Sequence, residues 1–124
     1  MKTVDSSVWL EYFAAGPLAD RFEKALQRRD ELVTPAVVLY EVYRWILRNR
    51  GEEDAARSAA LLEQTRLVAV DASLARLAAE LSVEHSLAMA DALVYATARA
   101  HEATLLTLDA HFEGLPGVEY HAKS

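Results

Sequence analysis

The chain has no cysteine, so disulfides and thiolate metal sites are both excluded. That fits a reducing compartment, and a cytoplasmic protein is the expectation. Lysine is scarce, at three residues, and the formal net charge of -6 argues against coating nucleic acid by electrostatics alone. No apolar run approaches the ~18 residues of a membrane span. The opening Met1-Lys2-Thr3-Val4-Asp5 reads as a strand with no signal-peptide core. With four glycines there is no Walker A loop and no GxGxxG turn. Ser6 and Ser7 lie in no GxSxG elbow, which disfavours a serine hydrolase. The four histidines, His85, His101, His111 and His121, lack metal-ligand spacing and read as surface residues.

What the chain does have is apolar residues, at 52% of 124, enough for one core and one domain spanning residues 1–124. Lys2–Val4 reads as a first strand. Val8, Trp9, Tyr12 and Phe13 then mark a helix closed by Gly16-Pro17, and Leu18, Phe22, Ala25 and Leu26 mark a second. Glu31–Thr34 is a second strand, and Thr34-Pro35 a helix entry in which the threonine hydroxyl caps free N–H groups. The third helix, Pro35 to about Asn49, is apolar nearly all round, so part of it is expected to meet another chain. A fourth helix spans Glu52 to about Gln64, and the third strand is Leu67–Val70. Leu74, Leu77, Ala78 and Leu81 mark a fifth helix. Asp91 leads a sixth, with Leu93, Ala96, Thr97 and Ala100 facing inward. Thr104–Leu108 and Val118–Tyr120 are the last strands, on either side of a turn at Gly114–Gly117.

Strands alternating with helices predict a three-layer α/β/α sandwich around a parallel sheet of about five strands. Right-handed crossovers give the order 3-2-1-4-5, with the switch point between the first and fourth strands. Those two strands run into Asp5 and Asp109.

Four acids, Asp5, Glu41, Asp91 and Asp109, fall where strand ends and helix starts converge on one rim, where ligands bind in such sheets. Carboxylates gathered there repel one another unless a cation joins them. A hard divalent ion with oxygen ligands answers that need, and phosphate chemistry is the usual reason for it. Each acid has a plainer alternative. Asp5 and Asp109 suit caps, and Asp91 suits a helix dipole. Glu41 sits on a face that reads as buried and has Arg44 at i+3 as a structural ion partner. Thr107 shares a strand side with Asp109, and a hydroxyl there can hold a carboxylate in one rotamer or a bound water.

The segments Val4–Trp9, Thr34–Val42, Leu87–Ala98 and Leu105–Phe112 resemble those of PIN-domain ribonucleases of the VapC-like toxin group, from type II toxin–antitoxin modules. The likeness covers essentially the whole chain, with Gly51–Val83 the least diagnostic stretch. It implies a PIN-like fold, a metal site of Asp5, Glu41, Asp91 and Asp109 holding Mg²⁺ or Mn²⁺, and Ser6 and Thr107 as supporting positions. It further implies a homodimer and a cognate antitoxin. On that reading the substrate is RNA, with Arg44 and Arg48 beyond Glu41 offsetting its charge. Three rivals are weighed. A haloacid-dehalogenase-type phosphatase needs a second Asp where Ser7 stands. A receiver-type domain needs a late strand-end lysine that is absent. A catalytically inactive PIN-like interaction module keeps the fold alone.

Overall fold

The computed structural model describes residues 1–123. Five short strands, β1 (Lys2–Val4), β2 (Leu32–Pro35), β3 (Arg66–Val68), β4 (Thr104–Thr107) and β5 (Val118–Tyr120), form one sheet in the order β3-β2-β1-β4-β5. Every pairing is parallel, with Thr3 opposite Val33 on one side and Leu105 on the other. The expected strand order is therefore the observed one. Successive strand residues point to opposite faces. In the central strands both members of the pairs Thr3/Val4, Val33/Thr34 and Leu105/Leu106 are buried, so helices cover the sheet on both sides.

Six helices supply that cover: α1 (Ser6–Phe13), α2 (Ala19–Gln27), α3 (Ala36–Arg50), α4 (Glu52–Leu62), α5 (Ala72–His85) and α6 (Met89–Ala100). Trp9, Phe22, Leu26, Val38, Val42, Ile46, Leu62 and Tyr95 join the strand valines and leucines in one core. Gly51, at φ 96°, lets α3 stop and α4 begin within a single residue, a conformation costly for any side chain. Helix α5 ends on Ser86 in the left-handed conformation, and the Ser82 hydroxyl donates to the Leu87 carbonyl across that end. This turn sets the start of α6, and hence the position of Asp91.

Four local expectations are corrected. Thr34 does not cap α3. Its hydroxyl is buried against that of Thr65, which in turn donates to the Leu62 carbonyl, so it ties β2 to the end of α4. Strand β3 begins at Arg66, and α4 ends two residues early. On α6 the buried set is Ala92 and Val94–Ala98, while Ala100 is exposed because the helix leaves the sheet there. The outer faces of α3, by contrast, agree with the expectation of surplus apolar surface and are not buried. Tyr40 is 63% exposed, and Tyr43, Trp45 and Leu47 are exposed as well, so the excess apolar surface read from sequence lies open.

Candidate active site

Asp5 stands immediately past the carboxyl end of β1 and Asp109 two residues past that of β4, adjacent strands on either side of the switch point. The Asp5 amide extends the ladder by donating to the Leu106 carbonyl at 3.0 Å, which fixes its backbone. Asp91 lies in the first turn of α6, where the helix dipole favours a negative charge. Glu41 lies on α3, between the buried Val38 and Val42. All four acids line one open cleft of ≈ 480 Å³, together with Ser6, Ser7, Leu10, Leu108, Ala110 and Lys123. Among the described lining residues Lys123 is the one lysine or arginine. The four acids predicted to share a rim do share it.

Asp5 is the deepest, with 4% of its surface exposed. One carboxylate oxygen, Oδ2, accepts hydrogen bonds from the Ser7 hydroxyl at 2.7 Å and the Thr107 hydroxyl at 2.8 Å. Its side chain makes no cap bond to α1, so the capping alternative fails for this residue. The Thr107 oxygen also accepts from the Asp109 amide at 2.9 Å, and the Ser7 oxygen from the Leu108 amide at 3.0 Å. Two hydroxyls thus lock the Asp5 carboxylate to the backbone of the Asp109 segment. Thr107 therefore holds a carboxylate, as expected, and that carboxylate is Asp5. The serine that holds Asp5 is Ser7. Ser6 instead points toward Glu41, whose charged form it favours. Nothing in the order Asp-Ser-Ser shows which serine turns inward. That depends on the helix phase of α1.

Burial dominates the electrostatics. It pushes the Asp5 carboxyl above its usual range against the opposing pull of the Ser7 and Thr107 hydroxyls, and the Asp109 charge adds to the rise. Glu41 is raised first by burial, and then by Asp5, Asp91 and Asp109 against the Ser6 hydroxyl. Asp91 is raised by burial and by the charges of Asp109 and Asp5, partly offset by His111. Three acids whose charged forms are all disfavoured, around oxygen donors facing one cleft, fit a hard divalent cation.

Glu41 is half-buried and forms no ion pair with Arg44, so the structural pairing weighed from sequence is absent among the described residues. Arg44 and Arg48 are exposed and do not line the cleft. With Trp45 they continue the Glu41 side of α3 at i+3, i+4 and i+7. A smaller groove of ≈ 240 Å³, lined by Ser7, Leu10, Glu11, Ala14, Trp45 and Lys123, adjoins the acids.

His111 is a surface residue, as expected of the histidines, but its ring lies beside two of the acids. Asp109 Oδ1 accepts from the His111 amide at 2.9 Å, closing a tight turn that returns the ring to the cleft mouth. Its Nδ1 lies 3.1 Å from Asp109 Oδ1 and 3.4 Å from Asp91 Oδ2. Among the described residues, the group whose ligand atoms all lie within 4.8 Å of one another is Asp91, Asp109 and His111. The Asp-x-His spacing after a strand end was the available signal.

The chain's architecture matches solved structures over nearly its full length. A toxin–antitoxin complex from Klebsiella pneumoniae superposes with a TM-score of 0.83 at 22% identity, covering 96% of each chain. The sarcin-ricin loop cleaving toxin VapC20 of Mycobacterium tuberculosis gives 0.80 at 25% identity, covering 96% of this chain and 98% of that one. VapBC2 of Rickettsia felis, bound to a promoter DNA fragment, gives 0.74 at 16% identity, with 98% and 97% covered. No curated protein matches by sequence. The PIN-domain family model matches residues 2–118, a span that takes in all four acids, His111 and the whole sheet up to the start of β5, and the chain belongs to the PIN-domain family.

Proposed function

We propose that the protein is a metal-dependent ribonuclease that acts as the toxin of a type II toxin–antitoxin module. The observation that carries this reading is the convergence of Asp5, Glu41, Asp91 and Asp109 on one cleft in which burial and mutual repulsion raise the carboxyls of Asp5, Glu41 and Asp91. Asp91 and Asp109 at the mouth, with Asp5 and Glu41 directly or through water, would hold Mg²⁺ or Mn²⁺. When bound, such an ion lowers the pKa of a coordinated water and offsets charge on a leaving oxygen.

The chain's own groups set the geometry. The Ser7 and Thr107 hydroxyls fix Asp5 Oδ2 in one orientation, so the deepest carboxylate loses no further freedom when the site fills. Glu41, on α3, would accept a hydrogen bond from the attacking water and help to orient it. Lys123 at the cleft, and Arg44 and Arg48 along α3, meet the phosphates on either side of the scissile bond. Trp45, 39% exposed between those arginines, offers a face on which an unpaired base stacks, which favours single-stranded or loop RNA.

The toxin role rests on the similarity to the toxin–antitoxin complex from Klebsiella pneumoniae and to the toxin VapC20. The exposed apolar side of α3 supports it. Leu39, Tyr40 and Tyr43 form a shallow groove with Ala36, Ala59 and Glu63, suited to a homodimer contact or to the antitoxin. The test is incubation of the purified protein with single-stranded RNA. Fragments released with Mg²⁺ or Mn²⁺, and suppressed by EDTA and by the co-expressed antitoxin, are expected. Intact RNA under all conditions would leave an inactive PIN-like interaction module as the better description.

A further inference from the structure

We propose that His111 is a nitrogen ligand of the metal in this cleft, and that it makes the site selective for Mn²⁺ over Mg²⁺. The inference rests on the metal-dependent reading above and adds to it a ligand of different chemistry from the four acids.

Three observations carry it. The first is distance. Ligands at about 2.1 Å from a metal in neighbouring octahedral positions lie about 3.0 Å apart. His111 Nδ1 is 3.1 Å from Asp109 Oδ1 and 3.4 Å from Asp91 Oδ2, so one ion can touch all three with small adjustments. The second is restraint. The turn that holds the ring is closed by the Asp109 carboxylate itself, through the His111 amide, so the acid and the imidazole are set as one unit. Phe112, the next residue, is fully buried and anchors that turn in the core. The third is position. Asp5 is enclosed by hydroxyls and backbone, whereas His111 is 76% exposed at the mouth, where an arriving ion first meets the protein. The ring needs no desolvation to reach it.

The chemistry then follows from ligand preference. Mg²⁺ takes oxygen almost exclusively and keeps its waters, while a first-row transition ion tolerates imidazole better, Mn²⁺ being the weakest nitrogen binder of that series. An all-carboxylate cleft separates Mg²⁺ from Mn²⁺ weakly, but one nitrogen donor tips the balance toward Mn²⁺. His85 and His121 contact glutamates outside the cleft and His101 contacts the Thr97 carbonyl, so these three serve as internal controls.

The test is metal binding without RNA, by calorimetry with Mn²⁺ and with Mg²⁺ and by pulsed electron paramagnetic resonance of the Mn²⁺-loaded protein. The parent, His111→Gln, His111→Ala and Asp109→Asn are compared. The parent is expected to show ¹⁴N coupling to Mn²⁺ that both His111 variants lose. Their Mn²⁺ affinity should fall about tenfold or more while Mg²⁺ affinity stays within twofold. Asp109→Asn should lose both ions. Mn²⁺ bound by the parent and lost in Asp109→Asn, but with no ¹⁴N coupling or with an unchanged Mn²⁺-to-Mg²⁺ ratio in the His111 variants, would overturn the role of His111 and leave the carboxylate site standing. Failure of the parent to bind either ion would overturn both.

Discussion

Thr107 serves two acids with one hydroxyl, giving its proton to Asp5 and accepting the Asp109 amide. Thr107→Val keeps the shape but leaves the buried Asp5 short of a donor and the half-buried Asp109 amide without its acceptor. A loss of about 1–3 kcal/mol in urea denaturation is expected, with a matching drop in cleavage. Ser7→Ala removes the partner hydroxyl on the same oxygen and should act in the same direction. Ser6→Ala touches only the Glu41 side of the cleft and should leave the fold intact. If Ser6→Ala proved the more damaging of the two, the hydroxyl network described here would be wrong. Glu41 and Arg44 provide a second contrast. Since no ion pair joins them, Arg44→Ala should leave the melting temperature within a degree or so of the parent, as for most exposed changes. Glu41→Gln should abolish turnover in a protein that still folds. A Glu41→Gln protein that unfolded while keeping full activity per folded molecule would restore the structural explanation.

At the scale of elements, α3 combines three roles on three faces. Val38, Val42 and Ile46 face the core, Glu41 faces the cleft, and Tyr40, Tyr43 and Leu47 face outward. The outward face predicts association. Tyr40→Asp with Tyr43→Asp should convert a dimer to a monomer by light scattering without lowering the melting temperature of the monomer. A dimer that persists would place the contact elsewhere. This helix also shows how far sequence could be read. Its length, its stop at Gly51 and its excess of apolar residues were all legible from spacing. The alternation of short apolar runs with helices gave the strand order, because handedness leaves few parallel topologies. The cleft's four acids were legible as well, since Asp5, Asp91 and Asp109 sit near element boundaries that the sheet brings to one rim and Glu41 is a carboxylate inside an otherwise apolar helix. Hidden from sequence were the contacts decided by rotation about an axis. Whether Ser6 or Ser7 turns inward, whether Thr34 caps or ties, and whether Glu41 sees Arg44 all depend on helix phase to within a fraction of a turn. His111 was hidden for a related reason, since a side chain leaving a tight turn has no periodicity to betray its direction.

For the whole molecule, the cleft sets a conflict between folding and charge that a cation resolves. Asp5, Glu41 and Asp91 all have carboxyls raised in the fold. Between the ordinary carboxylate range and those raised values, the native state binds more protons than the unfolded chain. The stability of the metal-free protein should therefore fall as pH rises through that window. A divalent ion should reverse the trend at neutral pH, adding about 2.7 kcal/mol at a hundredfold excess over its dissociation constant. Thermal melts across pH, with EDTA and with Mn²⁺, check both signs. A metal-free protein that gains stability steadily across the window would contradict the strained cleft. The central claim, that these acids make the cleft a metal-dependent ribonuclease, is met most directly by the cleavage rate of purified Asp5→Asn and Asp109→Asn on single-stranded RNA with Mn²⁺. Each substitution keeps volume and removes one charge, so both proteins should fold, melt at or above the metal-free parent, and cut RNA at least a thousandfold more slowly, about 4 kcal/mol in the barrier. Folded variants that cut RNA as fast as the parent would contradict it.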